Sequence, residues 1–255
     1  MKYSDINFNN KIILITGGAG FIGSSIAFYL QDNYPDVNII IFDCFRNNEF
    51  LPNGNLLSYG HYKNLIGFKG EVICGNINSK DDLSLLSNYK FDYIFHQAAI
   101  SDTRAYNQEM VMKTNVNSFY DLLKIAKKNQ SVMVYASSAA TYGGLPSPQV
   151  EGNESPENPY GYSKLLMDQI AFRYANENPN MTIVGLRFFN VYGPREFYKA
   201  KTSSMIIQLG HQILANKSPR LFENSNKILR DFVFIEDVVQ ANIKACNAKS
   251  NGTYN

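Results

Sequence analysis

Cysteine and histidine are both scarce in this chain, three residues of each. Cys44, Cys74 and Cys246 are scattered, odd in number and without metal-site spacing, and they read as core or surface thiols of a reducing compartment. His61, His96 and His211 are equally dispersed, so no metal is expected. Long apolar runs are absent too. Stretches 12–15 and 39–42 are of strand length, far too short to span a bilayer. Residues 1–10 are polar and lack the basic and apolar regions of a signal peptide, so a cytoplasmic location is expected. Charge of one sign is not in excess either: 24 basic and 22 acidic residues leave a net +2. The densest basic spot, Lys127-Lys128, reads as a solvated helix end, and neither nucleic acid nor membrane is an expected partner.

What the chain does have is enough apolar residue for a full core, 45% of 255. Short β-branched or aromatic runs at 11–16, 38–42, 71–75, 93–96, 131–137 and 182–188 alternate with longer helical patterns. One helical pattern carries Val111, Met112, Asn115, Val116, Phe119, Leu122, Leu123 and Ala126; another follows the breaker-rich Ser155-Pro156-Glu157-Asn158-Pro159 and covers 160–175. This order predicts an α/β fold, a Rossmann-type doubly wound parallel sheet over residues 1–189. After Phe189 the rhythm changes. Residues 190–195 read as a turn cluster, 206–214 and 237–248 as helices, and 220–223 and 230–235 as short strands, together a smaller C-terminal substrate lobe over 190–255.

The first strand runs into Thr16-Gly17-Gly18-Ala19-Gly20-Phe21-Ile22-Gly23, and a helix pattern follows. Gly17 suits a tight turn, Gly20 a close approach to a pyrophosphate, and Gly23 tight helix–strand packing. Phe21 and Ile22 then lie at the helix N-terminus, where free N–H groups favour the pyrophosphate. A tight βα turn alone could require the same glycines, but Asp43 ends strand two about 20 residues on, as a dinucleotide fingerprint requires. Asp43, with Cys44 beside it, can meet the ribose 2′-OH of NAD, whereas Arg46 can pair with the 2′-phosphate of NADP. Further cofactor candidates end later strands: Asn76 and Ile77 near the adenine, and Gln97, Ala98, Ala99 and Ser101 beside the redox end. Asn115, polar among apolar helix positions, is a cofactor candidate whose plainer role, satisfying strand backbone beneath the site, is preferred to ligand contact.

Tyr160-Gly161-Tyr162-Ser163-Lys164 puts Tyr160 and Lys164 one helical turn apart. The pattern is common on amphipathic helices, where it means packing and a snorkelling lysine. Here Ser137-Ser138 ends a preceding strand and can hold a substrate hydroxyl beside the phenol. An ammonium about 5 Å away favours phenolate by roughly 3 kcal/mol, which would make Tyr160 a usable base.

These motifs, with Tyr135-Ala136-Ser137-Ser138-Ala139-Ala140-Thr141-Tyr142-Gly143-Gly144, resemble the extended short-chain dehydrogenase/reductase family of sugar-nucleotide enzymes. Arg187-Phe188-Phe189-Asn190-Val191-Tyr192-Gly193-Pro194-Arg195-Glu196, Ser218-Pro219-Arg220-Leu221-Phe222-Glu223 and Arg230-Asp231-Phe232-Val233 resemble the branch of that family that epimerises ADP-heptose. The resemblance implies a tightly held NADP, with NAD as the alternative, a nucleotide sugar as substrate, and a homo-oligomer. It also implies oxidation at C6″ to a ketone that turns and takes hydride back on its other face, a step in lipopolysaccharide inner-core heptose synthesis. Ser138, Tyr160 and Lys164 carry the catalytic pattern, and Lys199, by itself a solvated loop charge, carries over as acid/base for the opposite face. Val191 matches a cofactor contact and Asn190 a substrate contact. Phe222, Glu223 and Ser225 match a loop around the ADP, and Arg230 a diphosphate ligand.

The sequence departs from the pattern at three further substrate positions. Lys201 follows Ala200 where a small Gly-Ser is usual, Gln208 replaces a histidine, and Asn224 replaces a glycine. The chain also stops at Gly252-Thr253-Tyr254-Asn255, where relatives continue, so part of the lobe is expected to be missing. Ala139-Ala140 stand where a 4,6-dehydratase carries an acidic pair, which argues against water elimination. A hexose 4-epimerase is the runner-up, and a cofactor-binding regulator would not need Ser138, Tyr160 and Lys164 together.

Overall fold

The computed structural model describes residues 5–255. β1 (Ile12–Thr16) has four β-branched residues in five and is buried along nearly its whole length, as a central parallel strand must be. It is followed by α1 (Phe21–Asn33), β2 (Asn38–Asp43), β3 (Glu71–Cys74), α2 (Lys80–Ser84) and β4 (Tyr93–His96). Next come α3 (Gln108–Met112), a π-helical turn at Lys113–Asn117, α4 (Ser118–Asn129), β5 (Val132–Ser138), α5 (Pro159–Glu177) and β6 (Ile183–Phe188). The chain closes with β7 (Asn190–Tyr192), α6 (Met205–Leu214), β8 (Phe232–Phe234), α7 (Ile235–Ala245) and β9 (Gly252–Tyr254).

Seven strands form one parallel sheet in the order β3-β2-β1-β4-β5-β6-β9. Strand order reverses between β1 and β4, and in such a sheet ligands bind where the carboxyl ends of the strands diverge. The strand alternation splits the core into two layers. Leu14, Ile40, Phe42, Met133 and Tyr135 face the layer that includes Phe119, Leu122 and Met167 of α4 and α5. Ile13, Ile15, Ile39, Ile41 and Val134 face Ile26, Leu30, Val239 and Ile243 of α1 and α7. α5 starts where the breaker run predicted: Asn158 caps it by accepting from the Gly161 N–H, and Pro159 takes the first turn, where no N–H is needed.

The tail differs from the sequence reading in three respects. Asn190–Tyr192 is not a turn but β7, paired in parallel with β8. Residues 220–223 do not form a strand. The segment from Ile235 returns to the sheet, β9 pairing with β6 and the apolar face of α7 entering the core beside α1. Between β7 and β8, Glu196 and Ser203 are buried, whereas α6 buries no residue. Among the described residues no helix is long and apolar enough to cross a membrane. None of their His, Cys, Asp and Glu residues group in threes to hold a metal.

Candidate active site

A cavity of about 570 Å³ opens at the carboxyl ends of the strands. Its floor is the βα turn. Gly17 sits at φ +70°, and a Cβ there would lie 2.6 Å from the Ala98 backbone nitrogen. A Cβ on Gly23 would run into the Gly17 carbonyl. No side chain caps α1, whose boundary residue is Gly20, so its first-turn N–H groups remain available to an anion. This backbone cradle fits a dinucleotide pyrophosphate. Gly17, Gly20, Phe21, Ile22, Gly23, Asp43, Cys44, Asn76, Ile77, Gln97, Ala98, Ala99, Ser101 and Val191 all line the cavity.

Asp43 is buried, with one carboxylate oxygen accepting from the Ala19 N–H at 2.9 Å and the other from the Phe45 N–H at 2.8 Å. Burial raises its pKa, and these two bonds oppose the rise. Asp43 therefore fastens β2 to the glycine turn as well as facing the cavity, each oxygen keeping capacity for a further donor. Gln97 donates to Asn242 at 3.3 Å, while its own carbonyl oxygen is buried without a partner. Such an acceptor at a cavity wall suits a ligand donor.

Two expected cofactor residues do not line the cavity. Asn115 is fully buried and spends its amide on structure: it accepts from the Ile100 N–H at 2.9 Å and donates to the Ile100 carbonyl at 3.0 Å and to Ser163 at 2.9 Å. The π-helical turn aims it there, tying the end of β4 to α5. Arg46 turns away to donate to the Tyr198 carbonyl, leaving its Nε buried and unpartnered.

Ser138, Tyr160, Lys164 and Lys199 come together in this cavity. Ser137 and Ser138 point differently, as neighbours on a strand do. Ser137 donates to Asp168 at 3.0 Å. Ser138 accepts from the Ala140 N–H at 3.1 Å and hydrogen-bonds with the Tyr160 phenol. Lys164 is buried, its Nζ donating to the Ala136 carbonyl at 2.8 Å and lying 5.9 Å from the centre of the Tyr160 ring.

Here the electrostatics correct the sequence argument. Burial raises the Tyr160 pKa, and the Ser138 bond opposes the rise. The lysine is itself desolvated, which lowers it to about 8, with Asp168 one helical turn on opposing the drop. Asp168 belongs to a buried cluster in which Arg187 bridges Asp168 at 2.9 Å and Glu154 at 2.7 Å. Two charges desolvated together do not act at the strength assumed for a surface pair.

A pH dependence follows from Lys164. Its charge is held below about pH 8 and lost above, so kcat/KM should decline as pH rises through 8, as one limb of a bell; a profile flat to pH 10 would reject this. For stability the sign is opposite. The folded pKa is depressed below the usual 10.5, so the cost of burying the charge is full below about pH 8. That cost disappears as pH rises from 8 to 10.5, and over this window the protein should gain stability relative to Lys164→Met, as chemical denaturation would measure.

Lys199 is not the solvated charge its loop context suggested. It lies half-buried on a 3₁₀ segment, Nζ 5.8 Å from the Phe21 ring centre, and burial lowers its pKa while Glu196 opposes. Asn190 also lines the cavity and donates to the Asp231 carbonyl at 2.9 Å. The remaining expected substrate residues are elsewhere: Lys201, Gln208, Phe222, Glu223, Asn224, Ser225 and Arg230 do not line the cavity. Gln208 donates to the Ser203 carbonyl at 2.6 Å, and Phe222, Glu223, Asn224 and Arg230 are exposed on the segment between α6 and β8. Conversely, Ser58, Tyr59, Thr202 and Ser203 form cavity wall with no signal in the sequence, since irregular loops carry neither periodicity nor motif.

The profile of the NAD dependent epimerase/dehydratase family matches residues 13–255. The solved ADP-L-glycero-D-manno-heptose-6-epimerase of Helicobacter pylori is 52% identical, with a TM-score of 0.92, over 100% of this chain and 79% of that one. The UDP-N-acetylglucosamine 4-epimerase of Methanobrevibacter ruminantium, in complex with UDP-N-acetylmuramic acid, is 27% identical, with a TM-score of 0.82, over 96% and 76%. The dTDP-glucose 4,6-dehydratase of Bacillus anthracis, in complex with NAD, is 25% identical, with a TM-score of 0.78, over 96% and 74%.

Proposed function

This chain belongs to the NAD dependent epimerase/dehydratase family, and on that premise we propose that it interconverts the two C6″ epimers of ADP-heptose, using bound NADP. The observation that carries the reading is one cavity in which a glycine turn, Ser138, Tyr160, Lys164 and Lys199 all meet. The 52% identity to the Helicobacter pylori enzyme supports the choice of sugar.

Bound nicotinamide supplies an acceptor for the C6″ hydride and returns it later. The residues of this chain handle the proton and the geometry. Ser138 holds the C6″ oxygen beside the Tyr160 phenol, which takes the hydroxyl proton as the ketone forms. Lys164, fixed by the Ala136 carbonyl, keeps a positive charge near that oxygen. Inversion would require a nicotinamide held on the glycine turn to meet both faces of C6″ from one fixed position, so the sugar must turn between the two halves of the reaction. Turning carries the C6″ oxygen away from its first base, and Lys199 meets it in the second orientation. Burial lowers the Lys199 pKa, which makes its proton easier to give up than that of an exposed lysine.

NADP is preferred over NAD on the family resemblance, since Arg46, the residue that could pair with a 2′-phosphate, donates instead to the Tyr198 carbonyl. Nucleotide extracted from the protein should be NADP, and NAD alone would overturn that choice. For the sugar, the test is turnover of ADP-heptose against UDP-hexoses. Conversion of ADP-heptose between its epimers is expected. Turnover of a UDP-hexose with none of ADP-heptose would make it a hexose epimerase instead.

A further inference from the structure

The segment carrying Lys199 owes its shape to residues outside the cavity. Arg195 and Ala200, on either side of that lysine, have φ of +75° and +49°. Side-chain-bearing residues hold such conformations only where their surroundings impose them. Much of the imposing comes from the loop after β2. The Tyr198 ring stacks on His61 with centroids 4.0 Å apart and planes 10° apart, and His61 stacks in turn on Tyr62. Arg195 donates to the Asn64 carbonyl at 2.5 Å, Arg46 to the Tyr198 carbonyl, and Tyr59 hydrogen-bonds with Thr202.

The same loop is also fastened to the glycine turn. The His61 N–H donates to the Ala19 carbonyl at 3.0 Å, and the Asn64 amide donates to the same oxygen at 3.1 Å. An unbroken chain of contacts thus runs from Ala19, at the pyrophosphate cradle, through His61 to Tyr198 and Lys199. His61 is suited to the middle of it. Its Nδ1 accepts from the Lys63 N–H at 3.1 Å, which orients the ring. Burial, Arg46 and Lys63 all lower its pKa, which favours a neutral, flat stacking surface.

We propose that His61 is a positioning residue for Lys199, setting the place of that lysine relative to the cofactor turn by stacking on Tyr198 while its backbone is bonded to Ala19. The proposal rests on the reading of Lys199 as second base. It predicts an effect on one orientation of the sugar and not on the other, because Tyr160 stands on α5 and is positioned independently.

The test uses the intact protein with its nucleotide bound. Each ADP-heptose epimer is mixed separately with the protein, and absorbance of reduced nicotinamide reports hydride transfer from C6″. Lys199→Met identifies the epimer whose oxidation needs Lys199. His61→Ala should slow transfer from that epimer by roughly tenfold or more and leave the other within about twofold. His61→Phe, which keeps a stacking ring, should restore the rate, and Tyr198→Leu should reproduce the His61→Ala pattern from the other side of the stack. Amide hydrogen exchange over residues 196–203 gives a readout without turnover: it should quicken in His61→Ala and not in His61→Phe. Equal slowing of both epimers, or unchanged exchange, would overturn the proposal. If the unaltered protein is reduced by neither epimer, the functional reading fails, and the exchange measurement still decides whether His61 holds the segment.

Discussion

Tyr160→Phe should lower epimerisation by about 10³-fold while the protein keeps its fold and its nucleotide. The substitution removes one oxygen, the atom that hydrogen-bonds with Ser138, and leaves the ring in place. α5 does not depend on the phenol, since it is capped by Asn158, begins at Pro159 and is held to the core by Met167, Ile170 and Ala171. Burial alone would make this phenol a worse base than free tyrosine. Its competence therefore depends on charge brought into the cavity with the cofactor and on Lys164 at its side. The check is turnover together with the absorbance of bound nucleotide. An active Tyr160→Phe would shift the proton transfer to another group, and loss of nucleotide would mean that the change had disrupted binding instead.

The second large effect is expected from Lys199→Met, which should lower epimerisation by about 10²–10⁴-fold yet still permit hydride transfer from one epimer. Methionine keeps most of the length of the lysine stem and none of its charge, so the ammonium that stands 5.8 Å from the Phe21 ring centre, the proton carrier, is lost. A base serving one orientation is dispensable in the other. The discriminating measurement is therefore transient reduction of bound nicotinamide by each epimer in turn. Epimerisation at the unaltered rate would return Lys199 to the status of a loop charge and remove the second base from the mechanism.

The two predictions draw on residues of very different legibility. Tyr160 and Lys164 were readable because a spacing of four on a helix is a local geometric fact, and the breaker run before Tyr160 marked where that helix begins. Gly17 and Gly23 were readable because a tight turn and a close helix–strand approach exclude a Cβ. Lys199 is in an irregular segment, where nothing in the neighbouring residues tells cavity from solvent. Only the resemblance to a known family pointed to it. Phe222, Glu223, Asn224, Ser225 and Arg230, to which the same resemblance also pointed, do not line the cavity.

The sequence by itself determined the order of strands through β6, the glycine turn and the spacing of Ser138, Tyr160 and Lys164, because each depends on periodicity or on the conformational needs of single residues. Tertiary structure alone decided the rest. It put β9 beside β6 and paired β7 with β8. It turned Arg46 toward Tyr198. It also decided the charge balance of the site: local spacing says that Lys164 favours the Tyr160 phenolate, whereas desolvation of both groups raises the phenol and lowers the lysine. Burial is a property of everything that packs around a group, and most of what packs around these two is far away in the chain.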